Sequence, residues 1–258
     1  MKKKIIISEE KLREVISDIV DDWSHNNNTP FNEVVSYQLF KKGIIMKEFN
    51  YNLIDLGLPS GTLWMDRNIG ASSPEDAGLY FAWGETQGYT ADEVGKTRGF
   101  IWKDYKFRKS DETTTLEVTD DAVSQNINEC HIPTKEQIIE LLKETDVYCV
   151  KEDGTEVHGV WYDDNQNIIW ESKIDENEQL SGIEFRKKTD NTTKVFVPCA
   201  GFAREDSIIC DGLFCFLWSN VGGTNGAWCF DSYCDKACCA YASRSYGFPL
   251  RGVKNKEN

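Results

Sequence analysis

Apolar residues recur with a helical period near the start of the chain. Between residues 8 and 23 they fall on one face of a helix at i, i+3, i+4 and i+7 spacing: Leu12, Val15, Ile16, Ile19, Val20 and Trp23. Ser8 fits the N-cap, and a second helix is predicted from Phe31 to Lys42. We therefore expect residues 1–50 to form a helical segment whose apolar stripe packs on the main domain, another subunit or a larger assembly.

From Tyr51 the pattern changes to short apolar runs separated by glycine, which predicts strands and tight turns. Pro59-Ser60-Gly61 predicts a turn between two apolar segments, and Asp153-Gly154 predicts a β-hairpin. Further short strands are predicted in "GLYFAWGE", "NIIW", "KVFVPCAGF", "LFCFLWSN" and "AWCFDSY". Residues 104–128 are polar and are expected to be loop with some partial ordering.

One further helix is predicted in "IPTKEQIIELLKET". Thr134 and Gln137 have the spacing of a capping box, and the buried face is supplied by Ile138, Ile139, Leu141 and Leu142. No alternation of strand and helix of the βαβ type occurs. We therefore predict that residues 51–258 form a single α+β domain with antiparallel pairing.

The charge balance limits the partners of this chain. The formal net charge of the 258 residues is -14, and no basic stripe compensates for it. Such a surface is repelled by phosphate, so neither a nucleic acid nor an anionic membrane is expected as a partner. No run of about eighteen apolar residues predicts membrane insertion, and the start "MKKKIIISEE" lacks the apolar core of a secretory signal. We expect a protein that is made in the cytoplasm without a signal peptide.

The chain has nine cysteines, and those between residues 210 and 239 are closely spaced. An odd number cannot all pair within one chain, and in the cytosol most are expected to be thiols. No C-x2-C pair occurs, and His25, His131 and His158 lie far from the cluster in sequence. No phosphate loop of the G-x-x-x-x-G-K-[ST] type and no G-x-S-x-G motif occurs either. We therefore predict no metal, no cofactor and no enzymatic activity.

Several segments, in order, resemble one known family. They are "DLGLPSGTLWMDRNIGASSPEDAGLYFAWGET", "CHIPTKEQIIELL", "VFVPCAGFARED", "GLFCFLWSN" and "RSYGFPLRGV". Together they are similar to the Fibrobacter-succinogenes-type major paralogous domain of Bacteroidota and their phages. The resemblance covers roughly residues 51 to 254 and implies a C-type-lectin-like fold, with a small sheet-and-helix scaffold that presents long loops. It also implies a distant relationship to the formylglycine-generating enzymes, whose paired redox cysteines and their context have no match here.

Related domains include targets of diversity-generating retroelements, which mutate adenines in codons near the C-terminus. Such mutation cannot produce Glu, Gln, Lys, Met or Trp. Glu, Gln and Met are absent between Asp206 and Lys256, and from Ser219 to Gly247 only Trp228 and Lys236 fall outside the reachable set. Buried strands and tight loops also avoid Glu and Gln, so both explanations stay open.

The resemblance implies a binding or display protein, which we expect to be a phage virion accessory such as a head or tail fibre component. Its contact surface is expected in residues 219–246, which combine aromatic and adaptable polar side chains as antibody loops do. The expected ligand-binding residues are Asn220, Asn225, Trp228, Asp231, Tyr233, Asp235, Tyr241, Arg244 and Tyr246. The expected partners are a host-surface glycan or protein and, through the N-terminal helices, other virion subunits or further copies in an oligomer.

Two alternatives remain open from the sequence. One is a purely structural virion protein whose helical stripe is its main interface. The other is an intracellular oxidase related to the formylglycine-generating enzymes that uses one of the clustered thiols.

Overall fold

A computed structural model describes residues 51–96, 107, 114–164, 167–171, 178–233 and 236–256, together with residues 13, 16–18 and 20. The chain divides into two compact units, residues 1–50 and 51–258. In the first unit the described residues are helical, as the apolar period predicts, and Ile16 and Val20 are 52% and 53% exposed. The rest of the apolar stripe and the second predicted helix lie outside the described residues.

The second unit is built mainly from short strands, with few helices. Its described strands are β1 (Leu53–Ile54), β2 (Leu63–Met65), β3 (Tyr80–Phe81), β4 (Thr145–Lys151), β5 (Glu156–His158), β6 (Val160–Asp164), β7 (Asn167–Glu171), β8 (Leu180–Lys187), β9 (Asp190–Pro198), β10 (Phe202–Arg204), β11 (Ser207–Ile209), β12 (Phe214–Gly223), β13 (Gly226–Tyr233), β14 (Lys236–Ala242), β15 (Phe248–Pro249) and β16 (Val253–Lys254). Its described helices are α1 (Ala91–Lys96), α2 (Ala122–Asn126) and α3 (Lys135–Glu144), with a 3-10 turn at Val118–Asp120. In the polar segment 104–128, the described residues include the 3-10 turn and α2.

Every pair of these described strands is antiparallel. The largest sheet has the order β12-β13-β14-β7-β6, and a four-stranded sheet has the order β5-β4-β8-β9. Smaller sheets join β1-β2-β16, β3-β15 and β10-β11, so that the last strands of the chain pair with the first. The predicted α+β class with antiparallel pairing is confirmed.

The two predicted turns are confirmed. Between β1 and β2, the backbone N–H of Gly61 donates to the carbonyl of Leu58 over 2.8 Å, and Gly61 has a φ of +74°. Between β4 and β5, the Asp153 carboxylate accepts from the backbone N–H of Thr155 over 2.8 Å, and Gly154 has a φ of +82°. Glycine adopts these positive φ angles without the steric cost of a Cβ.

Helix α3 begins as the sequence predicts. The hydroxyl of Thr134 accepts from the N–H of Gln137 over 3.2 Å, and the Gln137 side chain accepts from the N–H of Thr134 over 2.9 Å. Both bonds of the capping box are therefore present. The buried face of the helix is formed by Ile138, Leu141 and Leu142, whereas Ile139, also expected there, is only half-buried.

The main core joins helix α3 to the four-stranded and five-stranded sheets. Leu142 of the helix, Phe185 of β8 and Phe230 of β13 belong to one buried cluster. The rings of Phe185 and Phe230 meet edge to face with centroids 5.6 Å apart, which links the two sheets directly. The core therefore fixes one face of the five-stranded sheet and leaves the other to be covered by different elements.

A buried arginine lies in the C-terminal segment. Arg251 is fully buried and donates from Nε to the side-chain oxygen of Asn68 over 2.9 Å and from Nη1 to the carbonyl of Phe196 over 2.6 Å. Burial lowers the pKa of Arg251 to about 9. This guanidinium ties the end of the chain to the loop after β2 and to strand β9.

Candidate functional site

The described part of the segment 219–246 consists mainly of strands, of which β13 was predicted from "AWCFDSY". Strands β12, β13 and β14 are consecutive neighbours in the five-stranded sheet, with β14 missed by the sequence pattern. Successive side chains of a strand point to opposite faces of the sheet. One row in register on the face toward the main core, called the helix face, is Leu217, Phe230 and Cys239. The adjacent row, on what we call the opposite face, is Phe216, Asp231 and Cys238.

Three expected contact residues meet beside the turn between β12 and β13. Trp228 faces Tyr241 across the strand pair, with ring centroids 5.5 Å apart at 68°. The hydroxyl of Tyr241 accepts from the backbone N–H of Gly226 over 2.8 Å and from that of Asn225 over 3.2 Å. The ammonium of Lys135, at the start of α3, lies 3.2 Å from the centre of the Trp228 ring. Lys135, Asn225, Trp228 and Tyr241 form the patch that we call the turn patch.

Tyr241 of the turn patch is 45% exposed. Asn225 is also exposed, whereas Lys135 and Trp228 are half-buried. The ammonium of Lys135 packs on the Trp228 ring, and the Trp228 ring packs on the Tyr241 ring. The Tyr241 hydroxyl is hydrogen-bonded to the backbone of the turn. The patch therefore presents a preorganised aromatic surface beside a small polar group.

Asp231 lies on the opposite face, away from the turn patch. It is half-buried, and its Oδ1 is buried without any hydrogen-bond partner. Burial raises the pKa of this carboxyl to about 6. Its cross-strand neighbours are Phe216 and Cys238, neither of which can neutralise a carboxylate. Among the described side chains, the charged form of Asp231 is therefore left without compensation.

Phe216, the cross-strand neighbour of Asp231, contacts several other aromatic side chains. The ring of Phe216 stacks on Phe214 with centroids 5.7 Å apart and meets Phe202 edge to face at 5.3 Å. Phe202 in turn contacts Tyr246 at 5.0 Å. Phe202, Phe214 and Tyr246 are half-buried, whereas Phe216 is buried. Asp231, Phe202, Phe214, Phe216 and Tyr246 form the aromatic–carboxylate patch.

A guanidinium lies next to this patch. Arg204, on β10, is exposed, and its guanidinium carbon lies 5.8 Å from the centre of the Tyr246 ring. Apolar rings with a few polar groups at their edge are typical of ligand sites. The arrangement can bind a ligand that offers an apolar face together with hydroxyl or other donor groups.

Arg244 corrects one of our expectations. It was expected to be an adaptable contact group, but only 3% of it is exposed. Its Nε donates to the carbonyl of Gly226 over 3.1 Å and its Nη2 donates to that of Gly223 over 2.8 Å. The guanidinium also lies 4.4 Å from the centre of the Trp83 ring. Arg244 therefore supports the β12–β13 turn from inside the fold.

Asn220 lies at an irregularity of β12, where the register shifts between Trp218 and Gly222. Its backbone N–H donates to Pro133 over 2.9 Å and its carbonyl accepts from Leu116 over 3.0 Å. Its side-chain oxygen is buried without a partner, so this residue is held mainly by its backbone.

Two further expected contact residues are not described in full. Tyr233 ends β13 opposite Phe214, and its side chain lies outside the described part of the structure. Asp235 lies outside the described residues. The described members of the expected set are therefore divided between two faces and the interior, and the structure does not bring these members together as one surface.

Four of the clustered cysteines lie in surroundings that keep them protonated: Cys210, Cys229, Cys238 and Cys239. Burial raises the pKa of Cys238 to about 11 and that of Cys239 to about 12. Burial likewise raises the pKa of Cys210 and, to a greater extent, that of Cys229. A catalytic or metal-binding cysteine needs the thiolate, so these surroundings disfavour both roles. Within the described residues, no group of three His, Cys, Asp or Glu side chains could hold a metal ion.

Sequence reasoning missed several residues around these patches. Phe202, Phe214 and Lys135 reach them only through strand pairing and helix packing, which no local pattern indicates. Glu85 was also missed: its Oε2 is buried without a partner, and burial raises its pKa to about 7. Its position two residues after the buried run "YFAW" was the one available signal.

No family model, curated protein or solved structure matches this chain. The resemblance to the Fibrobacter-succinogenes-type family therefore stays a prediction. Of the helices in the described part, none is long and apolar enough to span a membrane.

Proposed function

We propose that this chain is a non-enzymatic binding or display protein, and that residues 51–258 form a C-type-lectin-like domain that contacts a host-surface glycan or protein. The observation that carries the proposal is the aromatic–carboxylate patch. It combines half-buried rings with a carboxylate oxygen that has no partner within the fold. A ligand that donates hydrogen bonds, as sugar hydroxyls and peptide N–H groups do, would stabilise the charged carboxyl once a shift of the neighbouring side chains exposes the buried Oδ1.

The setting that we propose is a phage virion, with the protein as a head or tail fibre component. The sequence resemblance supports this setting, and the net charge of -14 disfavours nucleic acid as the ligand. The raised pKa values of the clustered thiols favour a binding role over thiol chemistry.

The N-terminal segment is proposed to join the domain to other virion subunits or to further copies of the chain. Ile16 and Val20 lie one helical turn apart, and both are about half exposed. Apolar side chains at this spacing on one helix face suit association with another helix.

Ligand binding is tested with the full-length protein on an array of bacterial surface glycans. Wild type should bind a subset of them, and Tyr246→Ala and Asp231→Asn should each weaken binding by about tenfold or more, since aromatic anchors and charged hydrogen bonds carry most binding energy. Tyr241→Ala, on the turn patch, is the matched aromatic control and should bind normally. Equal loss in Tyr241→Ala would move the site to the turn patch.

A protein ligand is tested by the same variants on intact host cells after removal of surface glycans. Binding that survives glycan removal identifies a protein. Absence of binding to both glycans and cells would contradict the proposed function.

Association through the N-terminal segment is tested separately by sedimentation. Ile16→Asp combined with Val20→Asp should dissociate any oligomer, because two charges replace the apolar pair. Ser17→Asp, at an exposed position between them, is the control and should leave the oligomer intact. A monomeric wild type would show that the segment does not join copies of this chain.

A further inference from the structure

Two buried cysteines from different sheets meet in the core. The Sγ atoms of Cys199 and Cys215 lie 2.7 Å apart. This is much closer than two unbonded sulfur atoms pack, and it approaches the roughly 2 Å of a covalent S–S bond. Only 4% of Cys199 and none of Cys215 is exposed.

The backbone holds both cysteines in this position. Cys199 directly follows β9; its N–H donates to the carbonyl of Ser181 over 2.9 Å, and its carbonyl accepts from Gly212 over 2.8 Å. Cys215 lies within β12, where it is paired with Ser232 of β13. Backbone hydrogen bonds therefore fix the positions of both cysteines and so the contact between their sulfur atoms.

A third backbone hydrogen bond joins the two segments that carry the cysteines. The N–H of Gly201 donates to the carbonyl of Phe214 over 2.9 Å. Phe214 directly precedes Cys215, and Gly201 lies two residues after Cys199. This hydrogen bond therefore shows that the two backbone segments lie side by side at the cysteines. Backbone segments joined by hydrogen bonds lie about 5 Å apart, which is within the roughly 4–7 Å Cα separation that a disulfide spans.

We propose that Cys199 and Cys215 form a disulfide when the protein folds in the presence of a small-molecule disulfide such as oxidised glutathione. The thiolate of one cysteine attacks the glutathione disulfide, forms a mixed disulfide and releases one glutathione. The second cysteine then attacks the protein sulfur of that mixed disulfide and releases the second glutathione. The two cysteines lose two electrons and two protons, and one oxidised glutathione becomes two reduced ones.

The disulfide would close a short loop that contains the β10–β11 hairpin. The cysteines are 16 residues apart, and this loop carries Phe202 and Phe214 of the aromatic–carboxylate patch together with Arg204 beside it. The cross-link would join the four-stranded sheet to the five-stranded sheet at the base of the hairpin. It would restrict the unfolded chain and so stabilise the native domain.

The linkage is tested by folding the full-length protein with oxidised and reduced glutathione, blocking the remaining thiols, and mapping disulfides by mass spectrometry. Trypsin cuts after Lys194 and Arg204, which leaves Cys199 as the single cysteine of its peptide. Chymotryptic cleavage after Phe214 and Phe216 then separates Cys215 from the other cysteines. The expected product links the Cys199 peptide to Cys215.

Thermal unfolding gives a second measurement. A loop of about this length predicts that reductant lowers the Tm of the oxidised protein by roughly 6–12 °C. Cys199→Ser combined with Cys215→Ser should remove this response to reductant. Cys210→Ser, a half-buried cysteine of the same loop, is the control and should retain it.

Either of two mapping results would overturn the proposal: both cysteines blocked as thiols after oxidative folding, or Cys199 linked to a different cysteine. Since these results come from wild type, they stand even where a variant fails to fold. Neither depends on ligand binding by the patch.

Discussion

Replacement of Asp231 by asparagine should stabilise the domain at neutral pH and do so less at acidic pH. The carboxyl is half-buried, and its Oδ1 has no partner. Burial disfavours the charged form and raises the pKa from 3.8 to about 6. Asparagine has nearly the same shape and stays neutral at every pH, so the variant removes the charge and little else.

The size of the effect follows from the shift in pKa. Between pH 3.8 and 6 the native state holds a proton that the unfolded state has lost, so the stability of wild type falls as the pH rises through this window. Each pKa unit corresponds to about 1.4 kcal/mol. The penalty on the free energy of unfolding is therefore about 1 kcal/mol at pH 4.5 and about 3 kcal/mol at pH 7.5. The advantage of Asp231→Asn over wild type should grow by about 2 kcal/mol between these two pH values.

Urea unfolding followed by tryptophan fluorescence at pH 4.5, 6 and 7.5 measures this difference. Asp190→Asn is the matched control, since Thr192 and Thr193 donate to the Asp190 carboxylate and lower its pKa to about 2. Asp190 is ionised in the native state throughout this range, so the difference between its variant and wild type should stay nearly constant. An Asp231→Asn advantage that stays constant or falls toward neutral pH would show that burial does not control this carboxyl.

Three further substitutions test the fold by chemical denaturation. Thr134→Ala should cost about 1 kcal/mol through loss of the helix cap, and Thr134→Ser should recover most of it. Arg251→Ala should cost about 3–5 kcal/mol, because it leaves the buried Asn68 oxygen and the part-buried Phe196 carbonyl without their donor. The exposed Arg204→Ala should change stability by less than about 0.5 kcal/mol. Gly201→Ala should cost more than about 1 kcal/mol, because Gly201 has a φ of +57° and an added Cβ would lie 2.2 Å from the carbonyl oxygen of Ile209.

Local signals predicted the parts of the fold that local interactions determine. The cap of helix α3 depends on residues three positions apart, and the turn at Gly154 depends on a positive φ that glycine accepts. Both could be recognised from a few neighbouring residues. The antiparallel class followed in the same way, from short strands without intervening crossover helices.

The candidate site could not be predicted in this way, because strand pairing assembles it. Strand β14 has the sequence "KACCAYA", whose small residues give little sign of a strand, yet pairing with β13 determines where Cys238 and Tyr241 lie. The alternation of faces then separates Tyr241 from Asp231, although the two share one short segment. Arg244 was misjudged because an arginine near glycines looks exposed in sequence, whereas here the glycine carbonyls of a turn bind its guanidinium.

The same alternation limits how the composition of this segment can be explained. Ala227, Cys229 and Phe230 of β13 are essentially fully buried, as is Ala237 of β14. Random replacement at such positions would leave cavities or unpaired polar groups and cost several kcal/mol each. The absence of Glu and Gln there follows from packing alone. The exposed positions are different, since Thr224, Asn225, Tyr241 and Ser243 can change without disturbing the core. Diversification of this segment is therefore compatible with the fold at positions around the β12–β13 turn and at the end of β14, and not along the buried rows between them.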